Sequence, residues 1–290
     1  MTFTAHLSIA FMLLSGIAQG VPLERKLAPK KGGGGEPAAA EWTYRRTSTN
    51  GQQPYGPSDW HKGYPDCGKK AQSPIDLAAD LETVVKGSAY ELKFYPNECK
   101  SDELLFQADE RVWEILFGGC SDVPHVEFKG ERYNLLQIHI HSPSEHMIGG
   151  SEHSAEIHWV HVKEGTEDQL LVVGVLFDTT DYGSNVEIEH LWDVLDIGET
   201  TTKEVFTTRI YDIMPSNPVF SHYMGSLTTP PCTEGVKWIV MSDPVTMSKM
   251  QLDEFRTSVA LFDDSKVDEH GNTNRPGQSL NDRKIFFVHY

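Results

Sequence analysis

The stretch LLQIHIHSPSEH, from Leu135 to His146, sets two imidazoles, His139 and His141, two residues apart within a run of leucine and isoleucine. The apolar alternation predicts a strand, and side chains at i and i+2 of a strand share one face, roughly 6.5–7 Å apart. A lone buried histidine is ordinarily a core residue bonded to a neighbour. Two neutral imidazoles converging on one face suggest a cation between them.

The next strand candidate is SAEIHWVHVK, Ser154–Lys163. There Glu156, His158 and Val160 share one face, while Ile157, Trp159 and His161 share the other. A turn around IGGS (Ile148–Ser151) folds this strand back beside the first, about 4.8 Å away, so that His158 meets His139 and His141. Three histidines and no fourth protein ligand describe a catalytic zinc site with an open position. All-nitrogen ligation suits zinc, though copper, nickel or cobalt also bind such sets. Gln137 shares a face with His139, and Glu156 with His158. Each is placed to accept the far ring N–H of its neighbour and fix the tautomer.

Further out, RVWEILF, HVEF, QLLVVGVLF and KWIVM are short and rich in β-branched or aromatic residues, and turn formers (FKGE, IGGSE, KEGTED) separate them. Helical patterns are few, one near Glu187–Leu195 and another near Ser248–Leu261. The expectation is a mainly β domain with a large central sheet and short peripheral helices.

The chain has 290 residues, 39% hydrophobic and 23% charged, enough for one well-buried domain. Its formal charge of -17 argues against nucleic acid or an anionic membrane as partner. Residues 1–20 (MTFTAHLSIAFMLLSGIAQG) carry a short apolar core followed by small residues, as in a secretory signal cleaved after Ala18 or Gly20. No membrane span or lipid-anchor tail is expected. Residues 21–41, with four consecutive glycines, read as a flexible linker or pro-segment, and residues 42–290 as the folded domain. There is no Asn-x-Ser/Thr sequon. The four cysteines, Cys67, Cys99, Cys120 and Cys232, fit export and allow three pairings.

The segments QIHIH, SEH, AEIHWVH and GSLTTPPCTEGVKWIV, together with AQSPIDL (Ala71–Leu77) and NRPGQSLNDRKI (Asn274–Ile285), closely resemble the alpha class of carbonic anhydrases, in order and across roughly Trp42 to Tyr290. The resemblance implies a twisted, mostly antiparallel ten-stranded sheet and zinc-dependent hydration of carbon dioxide to bicarbonate and a proton. It implies zinc ligation by His139, His141 and His158, with Gln137 and Glu156 behind them and a backbone carbonyl near Asp282 behind His141. Glu145 and Thr228 match the pair that orients the nucleophile. Val160, Val172, Leu227, Val236, Trp238 and Thr229 match the wall of the substrate pocket. His146 and His161 match buried structural histidines. The resemblance also implies a Cys67–Cys232 disulfide and, with it, a second bridge between Cys99 and Cys120. At the rim position where many members carry a histidine proton shuttle, alignment of HVEF places Asp122, with His125 three residues on.

Two other function classes compete. One is a secreted matrix or storage protein that uses the fold as an acidic scaffold; the complete histidine set argues against it. The other is a zinc hydrolase of esters or peptides. No His-Glu-x-x-His helix is present, and the apolar wall suits a smaller substrate.

Overall fold

The computed structural model describes residues 40–46, 53–77, 82–97, 105–108, 113–117, 120–189, 210–215, 219–262, 267–268 and 270–289. The expected signal and almost all of the linker lie outside the described residues, as do Cys99 and most of the helix expected near Glu187–Leu195. One helical turn, 186–189, is described there.

Fourteen strands are described: β1 (Glu82–Lys86), β2 (Leu92–Tyr95), β3 (Leu105–Ala108), β4 (Trp113–Leu116), β5 (His125–Phe128), β6 (Glu131–His141), β7 (Met147–Ile148), β8 (Ser151–Glu152), β9 (Ala155–Lys163), β10 (Leu170–Thr180), β11 (Phe220–Ser226), β12 (Glu234–Met241), β13 (Val245–Ser248) and β14 (Ile285–His289). Twelve form one sheet; β7 and β8 form a small hairpin. The pairing is mostly antiparallel, with parallel contacts at β1/β14, β10/β12 and β10/β13.

The sheet thus counts twelve strands where the resemblance implies ten, because its two longest strands each pair with two short consecutive segments. Along β10, Leu171–Gly174 pair with β12 and Phe177–Thr180 with β13. Along β6, Glu131–Asn134 pair with β5 and Gln137–His139 with β4.

The two-residue period of the strands sorts their side chains onto two faces. Ile138 and Ile140 of β6, Ile157 and Trp159 of β9, and Val173, Val175 and Phe177 of β10 enter the larger core. Val160, Val172, Leu176, Val236, Trp238 and Val240 form a second cluster on the opposite face. Each such buried side chain contributes about 1.5–3 kcal/mol relative to exposure. The alternation slips once, at a bulge in β6 between Leu135 and Gln137. Before it, Tyr133 and Leu135 enter the larger core; after it, residues of the same parity, Gln137, His139 and His141, point to the other face. One extra residue re-aims the strand.

Helix α1 is a single turn, Trp60–Gly63. Helix α2, Lys249–Phe262, starts where the sequence pattern places it, and its start has a local cause. Ser248 Oγ accepts from Gln251 N at 3.1 Å, while Gln251 Oε1 accepts from Ser248 N at 3.0 Å. This reciprocal pair satisfies two donors at the helix start. Among the described residues, no helix is long and apolar enough to cross a membrane.

Candidate metal centre

His139 and His158 are direct cross-strand partners on β6 and β9, and His141 lies opposite Glu156. The three imidazole centroids are 4.8–4.9 Å apart. His141 and His158 are buried, while His139 keeps some exposure.

The hydrogen bonds behind the rings assign their tautomers. His139 Nδ1 donates to Gln137 Oε1 at 2.6 Å, and Gln137 is oriented by donating its Nε2 to Glu114 Oε1 at 3.4 Å. His141 Nδ1 donates to the Thr273 carbonyl at 2.6 Å. His158 Nε2 donates to Glu156 Oε1 at 2.8 Å. His139 Nε2, His141 Nε2 and His158 Nδ1 are therefore left as lone pairs, and they face one another. His158 Nδ1 lies 3.1 Å from His139 Nε2, where neither atom has a proton to share. His141 Nε2 is buried without a hydrogen-bond partner. One cation among the three nitrogens satisfies all of them. Two nitrogens each about 2.05 Å from a tetrahedral zinc sit roughly 3.3 Å apart, close to the observed spacing. The donor set fits zinc.

The electrostatics agree. Burial, and then the neighbouring imidazoles, hold His139 well below its usual pKa. Burial also lowers His141, partly offset by Glu145. Both rings are neutral at neutral pH. Burial works against the charge of Glu156, yet His146 and His158 hold its carboxyl well below the carboxylate range. That carboxylate also accepts the backbone N–H groups of Glu145 and His146 at 2.9 and 2.8 Å.

The carbonyl behind His141 belongs to Thr273, which corrects the expectation of Asp282. Asp282 is exposed in a turn just before β14. The segment that reaches the histidine is Thr273–Arg275, pinned there by Ser142 N on Thr273 Oγ1 at 3.1 Å. Arg275 is a site residue that the composition did not reveal. Its backbone N–H donates to Glu145 Oε1 at 2.8 Å. Its buried guanidinium binds Gln72 Oε1, the Ser73 carbonyl and the Cys67 carbonyl.

Glu145 is buried, with Oε2 unpartnered and 3.5 Å from His141 Nε2. Thr228 is buried too. Among the described residues no hydrogen bond joins the Thr228 hydroxyl to Glu145, so the coupling the resemblance implies is not formed here. The Arg275 N–H engages Oε1 and directs Oε2 toward the histidines. Val160, Val172, Val236 and Trp238 do come together, with Leu227 packed against them. The Trp238 ring lies 4.9 Å from His158, which sets this apolar wall against the histidine triad. Thr229 is half-buried; its carbonyl accepts from Cys232 N at 2.8 Å in the turn after Thr228.

His146 and His161 bind protein groups instead of joining the triad. His146 bridges Glu156 and Tyr223. His161 points to the other face, where Nε2 meets Tyr211 Oη at 3.0 Å and burial pushes its pKa to about 3.

Asp122 is exposed and His125 buried. Asn97 Nδ2 contacts both, at 2.9 Å from Asp122 Oδ1 and 3.2 Å from His125 Nδ1. Val126 and Phe128 enter the larger core, so His125 points to the face that carries the triad. It stacks on Tyr95 at 4.5 Å, and burial lowers its pKa below the ordinary 6.5.

A disulfide joins Cys67 to Cys232, with Cα atoms 4.9 Å apart. Cys120 is also disulfide-bonded.

Residues 55–289 match the family of eukaryotic-type carbonic anhydrases. Over 266 residues the chain is 31% identical to carbonic anhydrase 6 of Mus musculus, covering 83% of this chain and 77% of that protein. The solved structure of the alpha-carbonic anhydrase from Thermovibrio ammonificans with the inhibitor sulfanilamide superposes with a TM-score of 0.67 at 29% identity, covering 85% of this chain and 99% of the other. A dioscorin complexed with ascorbate shares the fold, with a TM-score of 0.67 at 23% identity over 86% of this chain and 98% of the other.

Proposed function

The chain belongs to the eukaryotic-type carbonic anhydrases, and from that premise we propose that it catalyses the reversible hydration of carbon dioxide to bicarbonate and a proton, with zinc held by His139, His141 and His158. The observation that carries the reading is the convergence of three imidazole lone pairs, one of them on a buried nitrogen with no hydrogen-bond partner. Zinc, when bound, supplies Lewis acidity that lowers the pKa of a water to about 7, a value for which carbonic anhydrase is itself the standard case.

The protein's own groups do the rest. Gln137, Thr273 and Glu156 hold the three rings in the ligating tautomers. Glu145 Oε2, buried and unpartnered, is the atom the Thr228 hydroxyl would donate to in the working site. Once Thr228 donates there, its oxygen can only accept, which turns the proton of the attacking group away from the substrate. Carbon dioxide is small and nonpolar, so the wall of Val160, Val172, Leu227, Val236 and Trp238 holds it without hydrogen bonds and excludes water. Thr229 stands at the edge of that wall. Metal analysis and carbon dioxide hydration on the purified chain test the reading. One zinc per chain and measurable hydration are expected. A chain with neither is the acidic scaffold instead.

Hydration should rise with pH through a single apparent pKa near 7. Sulfanilamide, the inhibitor in the related Thermovibrio structure, should block it by taking the open metal position. A flat profile with no effect of the compound points to another chemistry.

The proton must leave by a different group. From a donor near 7, an aspartate near 3.9 is uphill by about 3 units, or roughly 4 kcal/mol. A carboxylic acid is therefore a poor class of carrier. His125, lowered but still an imidazole on the site face, is the better one. In dilute buffer, turnover should climb with added imidazole, His125→Ala should slow it several-fold, and Asp122→His should raise it. Fast, buffer-independent turnover that survives His125→Ala removes both residues from this role.

The reading includes export. The signal-like N-terminus and the structural disulfide both fit a secreted protein.

A further inference from the structure

The twelve-stranded sheet ends at β1, which pairs with β14 on one side and is unpaired on the other among the described residues. Natural edge strands are blunted by proline, by a bulge, or by charge set where a second strand would lie. β1 holds no proline, and its five residues run in unbroken register with Ile285–His289. Its outer N–H and C=O groups therefore form one half of a regular ladder. Val84, at the centre of the strand, is 65% exposed, and Thr83 and Lys86 are exposed as well.

The sequence of the strand, ETVVK, is complementary to itself. Laid antiparallel against its own copy about Val84, it sets Glu82 opposite Lys86 of the second copy, Thr83 opposite Val85, and Val84 opposite itself. The two-fold axis repeats each pairing, so two opposite-charge pairs flank an apolar centre, an arrangement that stabilises paired strands. A parallel copy in register would oppose Glu82 to Glu82 and Lys86 to Lys86, and an antiparallel slip by one residue would lose both charge pairs. The strand carries one charge of each sign in a chain whose net charge is -17, so two copies can meet here without local repulsion.

The neighbouring strand adds to the contact. Val84 lies beside Phe287 across β1 and β14, and residues so paired share a face of the sheet. Phe287 is half-buried. Self-pairing of β1 therefore lines up Phe287, Val84 and their two copies in a single apolar row. Val85, one residue on, packs against the larger core, which puts this row on the sheet face that carries the histidine triad.

We propose that β1 is a homodimer interface, through which two copies of the chain join edge to edge and antiparallel, with the two-fold axis at Val84, into one continuous sheet. The axis stands perpendicular to the sheet, so both triads lie on the same face of the joined sheet. The contact is one short strand pair with its flanking side chains, at the low end of interface sizes. The dimer therefore forms reversibly, and its population rises with concentration.

Sedimentation equilibrium on the full chain, from about 1 μM to about 1 mM, tests this with or without metal. The wild type should show a monomer–dimer equilibrium. Lys86→Glu sets glutamate against Glu82, and Glu82→Lys sets lysine against Lys86; each alone should weaken the dimer by about 10-fold or more. The double exchange, Glu82→Lys with Lys86→Glu, restores opposite charges across the axis and should return the dissociation constant to within about 3-fold of wild type. Val84→Lys brings two ammonium groups together at the axis and should leave the chain monomeric throughout. Val84 and Lys86 are exposed, and matching circular dichroism checks that each variant is folded. Met250→Lys is the control: Met250 is 75% exposed on α2, which packs on β13 and β10 and not on β1, and its replacement should change nothing. A chain that stays monomeric at the highest concentration, even one that captures a foreign strand at β1, overturns the proposal. So does a dimer that survives Val84→Lys, or one that the double exchange leaves as weak as the single changes.

Discussion

Replacing His158 with alanine should strip the zinc and end carbon dioxide hydration. His158 is the only member of the triad on β9, so its removal leaves two lone pairs from alternate β6 positions, too few for a tetrahedral site. The change also takes one of four N–H donors from Glu156, leaving a buried carboxylate less well satisfied. Loss of an outer partner of a ligand costs metal affinity 10–100-fold; loss of the ligand itself should exceed about 100-fold, with hydration falling to background. The checks are zinc per chain by elemental analysis and initial hydration rates, on protein whose near-ultraviolet circular dichroism matches the wild type. Metal and activity retained in a folded His158→Ala chain would remove this residue from the site and, with it, the proposed catalytic role.

The triad was legible because period-two spacing on two adjacent strands puts His139, His141 and His158 on one face without any help from the rest of the fold. The same rule places Gln137 and Glu156. It does not reveal the bulge at Leu135/Gln137, which reverses the facing of β6. Nothing in LLQ marks it, since leucine is acceptable on either face. Nor does it find Thr273 behind His141. That bond uses a backbone carbonyl, which every residue offers, so side-chain identity is silent and the resemblance points nine positions too late, to Asp282 instead of Thr273. Arg275 was hidden for another reason. A charged residue in a loop reads as solvated until the fold buries its guanidinium against three acceptors. The twelve-strand count depends on how far β6 and β10 extend past their partners, and pairing of that kind is not local. By contrast, α2 was legible to within a residue, because Ser248 and Gln251 make a purely local cap.

Replacing both Cys67 and Cys232 with serine should lower stability by about 5 kcal/mol, the second large effect. The two residues are 165 positions apart, and closing a loop of that length removes conformational entropy from the unfolded chain worth roughly that much in the chain-entropy model. For a domain of this size the thermal midpoint should fall by about 10–20 °C. The folded site should suffer far less, because the bond is not alone in holding its ends. Arg275 donates to the Cys67 carbonyl at 3.2 Å and to Gln72 Oε1 at 2.9 Å, and Gln72 Nε2 in turn donates to the Cys232 carbonyl at 3.2 Å. Cys67 and Cys232 also pack with Trp42, Tyr44 and Trp60. This network ties the turn after Thr228 to the aromatic cluster whether or not the sulfurs are joined. Hydration at 25 °C should therefore stay within a few-fold of wild type while the protein becomes markedly easier to unfold. Thermal scans of the double variant, paired with hydration rates well below the new midpoint, separate the two effects. A midpoint unchanged within a few degrees would mean that the unfolded chain is already compact around this loop. A collapse of activity at full foldedness would mean that the disulfide, and not the Arg275 network, sets the Thr228 turn.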